Sequence, residues 1–305
     1  MPLSPNLRGS LFMVVAMAGF TINDAITKLL IETMQLGQIL FLRGLFATIL
    51  ILGLAWSSGV RADLRRLRHP MVAARTLCEL GATITFIAAL AHLPLANISA
   101  VLQMLPLAVT MGAALFFGES VGWRRWLAIL VGVFGVMVIV RPGFDGFSVF
   151  SLLALVTVMF SATRDLVTRL IPDDVPSMLV SATTAIAVTV TGGFIAAAGS
   201  WTPVSSAELG LLACAAILLI VGYQFIIMAM RQGDISMVAP FRYTALVWAL
   251  VLGYVLFGEV PDAAMIVGAV AIVLSGLYTL YRERRLGHSK PAAESTGPGM
   301  GPDGL

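Results

Sequence analysis

Long apolar stretches alternate with short polar breaks along almost the whole chain. Runs rich in Leu, Ile, Val, Ala, Phe and Met occupy about 10–30, 37–57, 70–91, 96–117, 124–140, 147–169, 177–199, 206–230, 235–256 and 263–281. Each is close to the roughly 20 residues that an α-helix needs to cross about 30 Å of hydrocarbon. The breaks are turn formers: Ser57-Ser58-Gly59, His92-Leu93-Pro94, Arg141-Pro142-Gly143, Pro172 to Pro176, and Trp201-Thr202-Pro203. The pattern predicts an all-α integral membrane protein with ten transmembrane helices. The connections are short, so successive helices are expected to be antiparallel neighbours.

Composition sharpens this reading. Of 305 residues, 59% are hydrophobic and 11% are charged. A soluble domain carries about 25% charged residues, so most of this chain cannot face water. The net charge of +3 is small, and no basic stripe or aromatic-basic module points to nucleic acid. Cys78 and Cys214 both fall inside apolar runs and are expected to pack there rather than form a disulfide framework. Ala16-Met17-Ala18 resembles a signal-peptidase site, but the apolar run continues through it as a full span, so the N-terminus is expected to be retained.

The distribution of basic residues sets an orientation. With the N-terminus in the cytoplasm, the inner loops hold Arg8, Arg61, Arg65, Arg66, Arg68, Arg124, Arg125, Arg169, Arg231, Arg282, Arg284, Arg285 and Lys290, and the outer loops hold Arg141 alone. Both termini are therefore expected on the cytoplasmic side of the membrane.

Two stretches recur about 140 residues apart. Asp24, Thr27, Lys28 and Leu29 are matched by Asp165, Thr168, Arg169 and Leu170, and Phe117-Gly118-Glu119 is matched by Phe257-Gly258-Glu259. Two echoes at nearly one offset imply a duplicated chain. Each copy holds five spans, an odd number, so the second enters the membrane upside down. The expected architecture is two inverted five-helix repeats, 8–141 and 147–285, followed by a disordered cytoplasmic tail, 286–305. Asp24 and Lys28 then lie near the outer surface, and Asp165 and Arg169 near the inner one.

Eight ionisable residues fall within the spans: Asp24, Lys28, Arg43, Arg75, Glu79, Arg164, Asp165 and Arg242. Facing lipid at mid-bilayer, they would cost on the order of 20 kcal/mol together, more than the roughly 5–15 kcal/mol that stabilises a protein. They are expected to face partners or a polar pathway. Asp24–Lys28 and Asp165–Arg169 each share a helix face at i, i+4; they are candidate gates, or structural pairs with the basic group snorkelling. Arg43 is a gate candidate or a partner for Asp24. Glu79, with Arg75 one turn earlier, is either a binding or proton-carrying group or half of a Glu79–Arg75 pair. Pro240 removes a helix donor and makes Pro240-Phe241-Arg242-Tyr243 a candidate binding segment. Pro106 marks a similar break, with Gln103 one turn before it. Tyr223 and Gln224 form a polar patch in the eighth span, which serves either substrate or helix packing. Gly118 and Gly258 read as helix stops, with Glu119 and Glu259 opening the next loops. Gly132 and Gly135 read as close-packing residues.

Enzyme signatures are absent: no His-Glu-x-x-His, no Gly-x-Ser-x-Gly and no phosphate-binding glycine loop. His69, His92 and His288 lie in loops or the tail, and no metal cluster or cofactor is suggested. A membrane enzyme acting on lipid substrates would need clustered acids or histidines at one interface, which the sequence lacks.

Over about residues 8–285 the chain resembles the drug/metabolite transporter superfamily, in its ten-helix EamA-type branch. The resemblance rests on Lys28 at the end of the first span, on Leu42-Arg43-Gly44, on Pro106 ahead of Phe117-Gly118-Glu119, and on Pro240-Phe241-Arg242-Tyr243 ahead of Phe257-Gly258-Glu259-Val260-Pro261-Asp262. It implies a central cavity, alternating access and a small-molecule substrate such as an amino acid, nucleoside, vitamin or sugar. Asn23-Asp24-Ala25 together with Phe241-Arg242-Tyr243 is similar to vitamin and metabolite carriers, including riboflavin and S-adenosylmethionine transporters. A flavin would suit stacking on Tyr223, Tyr243 and Trp248, residues that equally suit helix packing. The expected partners are the substrate and the lipid bilayer, with room for a homodimer.

Overall fold

The computed structural model describes residues 4–57, 69–119, 121–142, 148–172, 175–232 and 235–285. The loop arginines from Arg61 to Arg68 and the tail 286–305 lie outside the described residues. The elements run α1 (Pro5–Ile31), α2 (Leu36–Ser57), α3 (Pro70–Leu90), α4 (Leu95–Leu102), α5 (Leu105–Phe116), α6 (Trp123–Val140), α7 (Val149–Thr168), α8 (Ser177–Ala198), α9 (Ser206–Gln232), α10 (Ile235–Val238), a 3-10 turn (Ala239–Tyr243), α11 (Thr244–Phe257) and α12 (Ala263–Arg285). Ten helical segments are long and apolar enough to span a membrane, in agreement with the hydropathy pattern.

Eight spans are continuous helices and two are broken. The fourth consists of α4 and α5, interrupted at Gln103 and Met104, with Pro106 in the first turn of α5. The ninth is broken where Pro240 lies in the 3-10 turn before α11. In both cases proline supplies no N–H to the preceding turn. Irregular backbone at such depth is tolerated where protein rather than lipid surrounds it.

The helices pair across the two halves of the chain: α1 packs on α9, α3 on α7, α2 on α8 and α6 on α12. Small residues set some of these distances. A Cβ on Gly135 would stand 2.7 Å from the carbonyl oxygen of Gly268, and one on Gly268 would stand 2.5 Å from that of Gly135. In the α2–α8 crossing, a Cβ on Gly192 would meet the Phe41 nitrogen at 2.5 Å. Backbone therefore touches backbone at both crossings. The largest apolar cluster joins Leu90, Leu107, Val136, Val158, Leu166, Leu246 and Ile272. Stripes of exposed apolar residues, such as Leu45, Ile49, Leu52 and Trp56 on α2, form the outer surface. Cys214 belongs to such a stripe: it is exposed rather than packed inside, because its position on α9 is turned away from α1.

Candidate functional site

Three charged side chains form a closed group at the centre of the bundle. Arg164 on α7 donates from Nη1 to Glu79 Oε2 on α3 at 2.9 Å, from Nη2 to Asp165 Oδ1 at 2.6 Å and from Nε to the same oxygen at 2.8 Å. The side chains of Arg164, Glu79 and Asp165 are 1%, 6% and 2% exposed. Glu79 is thus held by Arg164, not by Arg75 as the i, i+4 spacing suggests. Arg75 turns to hydroxyls instead: Nε donates to Thr168 Oγ1 at 3.2 Å and Nη1 to Thr184 Oγ1 at 2.9 Å. Asp165 is likewise no mate of Arg169. It lies buried in the triad rather than at a mouth of the bundle, because its chain neighbour Arg164 folds over it.

Asp24 and Arg43 stand beside this group. Arg43 lies within electrostatic reach of Asp24, Tyr223 and Glu79, and Tyr223 within reach of Glu79, Arg164, Arg75 and Arg43. Asp24, Arg43 and Tyr223 are each half-buried, and helix geometry shows where their open sides point. Asp24 follows the exposed Val15 by nine residues, Arg43 precedes the exposed Leu52 by nine, and Tyr223 follows the exposed Cys214 by nine. At 3.6 residues per turn, nine residues are about two and a half turns. All three side chains therefore lie opposite the lipid-facing stripes of their helices and open into the interior.

The two broken spans meet. Gln103, which caps α4, donates from Nε2 to the carbonyl oxygen of Arg242 in the 3-10 turn at 3.4 Å. Arg242 is half-buried and lies within electrostatic reach of Arg164 and Asp165. The other sequence candidates stand apart. Tyr243 points away from the charged group into the contact with α12, where its hydroxyl is buried against Gly276 without a hydrogen-bond partner. Trp248 packs on an apolar cluster with Met13, Met17 and Ile226. Gln224 is exposed on the outward stripe of α9, between Val221 and Met228.

Each end of the charged interior carries an ion pair that the sequence reading missed. Lys28 Nζ bonds Glu259 Oε1 at 2.5 Å and the carbonyl of Leu93 at 2.5 Å, while Glu259 Oε2 accepts the backbone N–H of Leu95 at 2.7 Å. These side chains are 14% and 17% exposed. At the other end Arg169 Nη1 bonds Glu119 Oε1 at 3.0 Å, with side chains 27% and 46% exposed. Lys28 therefore pairs with Glu259 and not with Asp24. Gly118 (φ +67°) and Gly258 (φ +65°) adopt the left-handed conformation that ends the helix and turns the next residue inward. Glu119 and Glu259 are accordingly bridging groups as well as loop starts. The signal was present in the sequence: the two echoes carry opposite charges, and each basic member binds the acidic member from the other half. Among the described residues, no group of three or more His, Cys, Asp or Glu is placed to hold a metal.

The chain and its fold have known counterparts. The EamA-like transporter family matches residues 7–141 and again 149–281. The pseudopaline exporter CntI of Pseudomonas aeruginosa (strain UCBPP-PA14) is 29% identical over 88% of this chain and 94% of its own. A riboflavin transporter of Rhizobium johnstonii is 28% identical over 93% of this chain and 94% of its own. An S-adenosylmethionine uptake transporter of Rickettsia felis is 25% identical over 93% and 96%. A solved crystal structure, 20% identical, superposes with a TM-score of 0.62 over 93% of this chain and 98% of that one, which shows the common fold.

Proposed function

The chain belongs to the EamA-like transporter family, and from that premise we propose a secondary carrier that moves a small polar metabolite across the bacterial inner membrane by alternating access, without catalysis. The observation that carries this reading is the placement of charge. Asp24, Arg43, Glu79, Arg75, Arg164, Asp165 and Arg242 gather between the helices, and an ion pair lies toward each end. A charged interior costs stability, and a polar cargo that must traverse lipid gives it a use.

The two halves act as inverted repeats of five spans, with both termini in the cytoplasm. The duplicated family match and the crosswise pairing of Lys28 with Glu259 and Arg169 with Glu119 support that relation. Lys28–Glu259 closes the outer mouth and Arg169–Glu119 the inner one. The lower exposure of the Lys28 pair supports a state sealed more firmly on the outside. Substrates of the size of riboflavin or S-adenosylmethionine, which the relatives are named for, suit a path of this kind, and Tyr223 supplies an aromatic face beside the charges.

The test is uptake of radiolabelled riboflavin and S-adenosylmethionine by purified protein in liposomes preloaded with the same compound. Saturable counterflow of either, above protein-free liposomes, supports the reading. Chemical turnover of a lipid or metabolite by the same preparation, with no counterflow, overturns it.

A further inference from the structure

The last two spans follow one another in the chain but do not lie closely together. α11 packs on α1 and α4, and α12 packs on α6. A cleft of about 520 Å³ runs between them. Its floor, formed by Tyr243, Leu246, Met265 and Ala269, is buried, while its rims are exposed at Val247 on α11 and at Val270 and Leu274 on α12. In the first half the corresponding spans close on each other: a Cβ on Gly132 of α6 would stand 2.3 Å from Leu107 Cδ1 of α5.

The lining selects hydrocarbon. Two hydroxyls border the cleft, and both are turned from it. Thr244 Oγ1 donates to the carbonyl of Phe241 at 2.6 Å, and the Tyr243 hydroxyl is buried against Gly276. The remaining side chains are apolar. A polar cargo therefore finds nothing there to hold it.

Size selects among hydrocarbons. From Met265 to Leu277, at the two ends of the cleft, α12 advances about 18 Å at 1.5 Å per residue. That is close to the depth of one leaflet, about half of the 30 Å hydrocarbon core. A helix of a second copy of this chain, 18 Å long and about 10 Å across, would fill roughly 1,400 Å³. It cannot enter, and would bridge the rims over an empty floor. A single acyl chain can lie along that floor.

Charge selects the headgroup. Tyr281, one turn beyond Leu277, continues the stripe and is exposed, and Arg282 follows it, half-buried. In the orientation proposed above, this end of α12 faces the cytoplasm. Tyr and basic residues at that interface meet anionic lipid headgroups.

We infer that the cleft between α11 and α12 seats one phospholipid of the cytoplasmic leaflet, with an acyl chain along the floor and an anionic headgroup at Tyr281 and Arg282. The site is separate from the charged interior. It rests on the membrane placement and its orientation, and not on transport. Pro240 and Phe241 form part of its wall, so the lipid also braces the 3-10 turn that carries Arg242.

The experiment records native mass spectra of the full chain released from detergent, with phosphatidylglycerol and phosphatidylcholine of the same acyl chains supplied in equal amounts. Wild type retains one phospholipid and prefers phosphatidylglycerol about fivefold, the ratio given by about 1 kcal/mol for one basic residue. Val270→Trp fills the cleft from its rim and loses the lipid. Leu274→Trp, on the same rim, repeats the test should the first variant fail to fold. Ile49→Trp, at an exposed position on α2, keeps the lipid. Arg282→Gln keeps a lipid but loses the preference. The inference is overturned if wild type retains no lipid, if the rim variants retain as much as Ile49→Trp, or if Arg282→Gln leaves the preference unchanged. It is also overturned if wild type is a dimer that the rim variants dissociate, since a second copy then covers the cleft. Liposome counterflow is read separately: retained lipid without counterflow removes the carrier and keeps this site, and counterflow without retained lipid does the reverse.

Discussion

Lys28 and Glu259 are separated by 231 residues in sequence and joined at 2.5 Å in the fold. The pair ties the end of the first span to the end of the ninth, and through Leu93 and Leu95 it also fastens the turn between the third and fourth. Lys28→Ala leaves Glu259 partly buried without its cation. We expect liposome counterflow to fall by about tenfold or more, in line with the loss of one partner from a largely desolvated pair. The exchanged double variant Lys28→Glu with Glu259→Lys should recover part of that loss.

Glu79 and Arg164 are more deeply enclosed. Removing one partner from a buried ion pair costs about 3–5 kcal/mol. Glu79→Ala should therefore lower thermal stability markedly. Arg164→Leu should lower it further, because it removes the guanidinium that both buried carboxylates share. If denaturation shows the Arg164→Leu protein as stable as wild type, the triad does not hold the centre together.

The same logic gives a negative expectation for Gln224. It lies on the exposed stripe of α9, so Gln224→Leu should leave counterflow within about twofold of wild type and stability within the roughly ±0.5 kcal/mol typical of surface changes. Tyr223→Ala, one residue earlier and facing inward, should weaken binding.

Asp262 offers a pH test outside the spans. Its carboxylate caps α12 by accepting the Met265 amide at 2.7 Å and bonds Arg141. The capping bond, helped by the arginine, holds the acid below its ordinary value of 3.8. A lowered folded pKa means that the contribution to stability is complete above the unfolded value and is lost as pH falls through the folded one. Asp262→Asn should thus lower Tm near neutrality, and the gap from wild type should close as pH falls below about 4.

The ten spans and their ends were legible in the sequence because burial in lipid imposes a long, continuous signal. Pro106 and Pro240 located both helix breaks for a local reason: a missing N–H acts on the turn in which it sits. The partners of the charges were not legible. Spacing on one helix suggested Asp24 for Lys28, Arg75 for Glu79 and Asp165 for Arg169. In each case a different partner wins: Glu259 and Glu119, from the loops that follow α11 and α5, for Lys28 and Arg169, and Arg164 on α7 for Glu79. The basic side chains are long enough to choose among neighbours that only the packing of α1, α3 and α7 brings near. Arg164 and Asp165, adjacent in sequence, are not expected to face each other on a helix, yet the guanidinium folds back to do so. Tyr243 was misleading for a related reason: the 3-10 turn rotates it toward α12 while its neighbour Arg242 stays near the charges.

The glycine-lined crossings bear on how such a bundle can move. Where Gly135 lies on Gly268, and Gly192 on Phe41, main chain rests on main chain with few knobs to lift out of their sockets. Such surfaces can swivel like journals in a bearing, whereas interlocked side chains would have to disengage at every stroke. Both bearings join equivalent spans of the two halves, the second with the seventh and the fifth with the tenth. In the carrier proposed above, the halves would tilt about these pivots while the pairs at either mouth part and re-form in turn. A bulky residue at Gly268 would seize the pivot, slowing turnover out of proportion to any change in substrate binding.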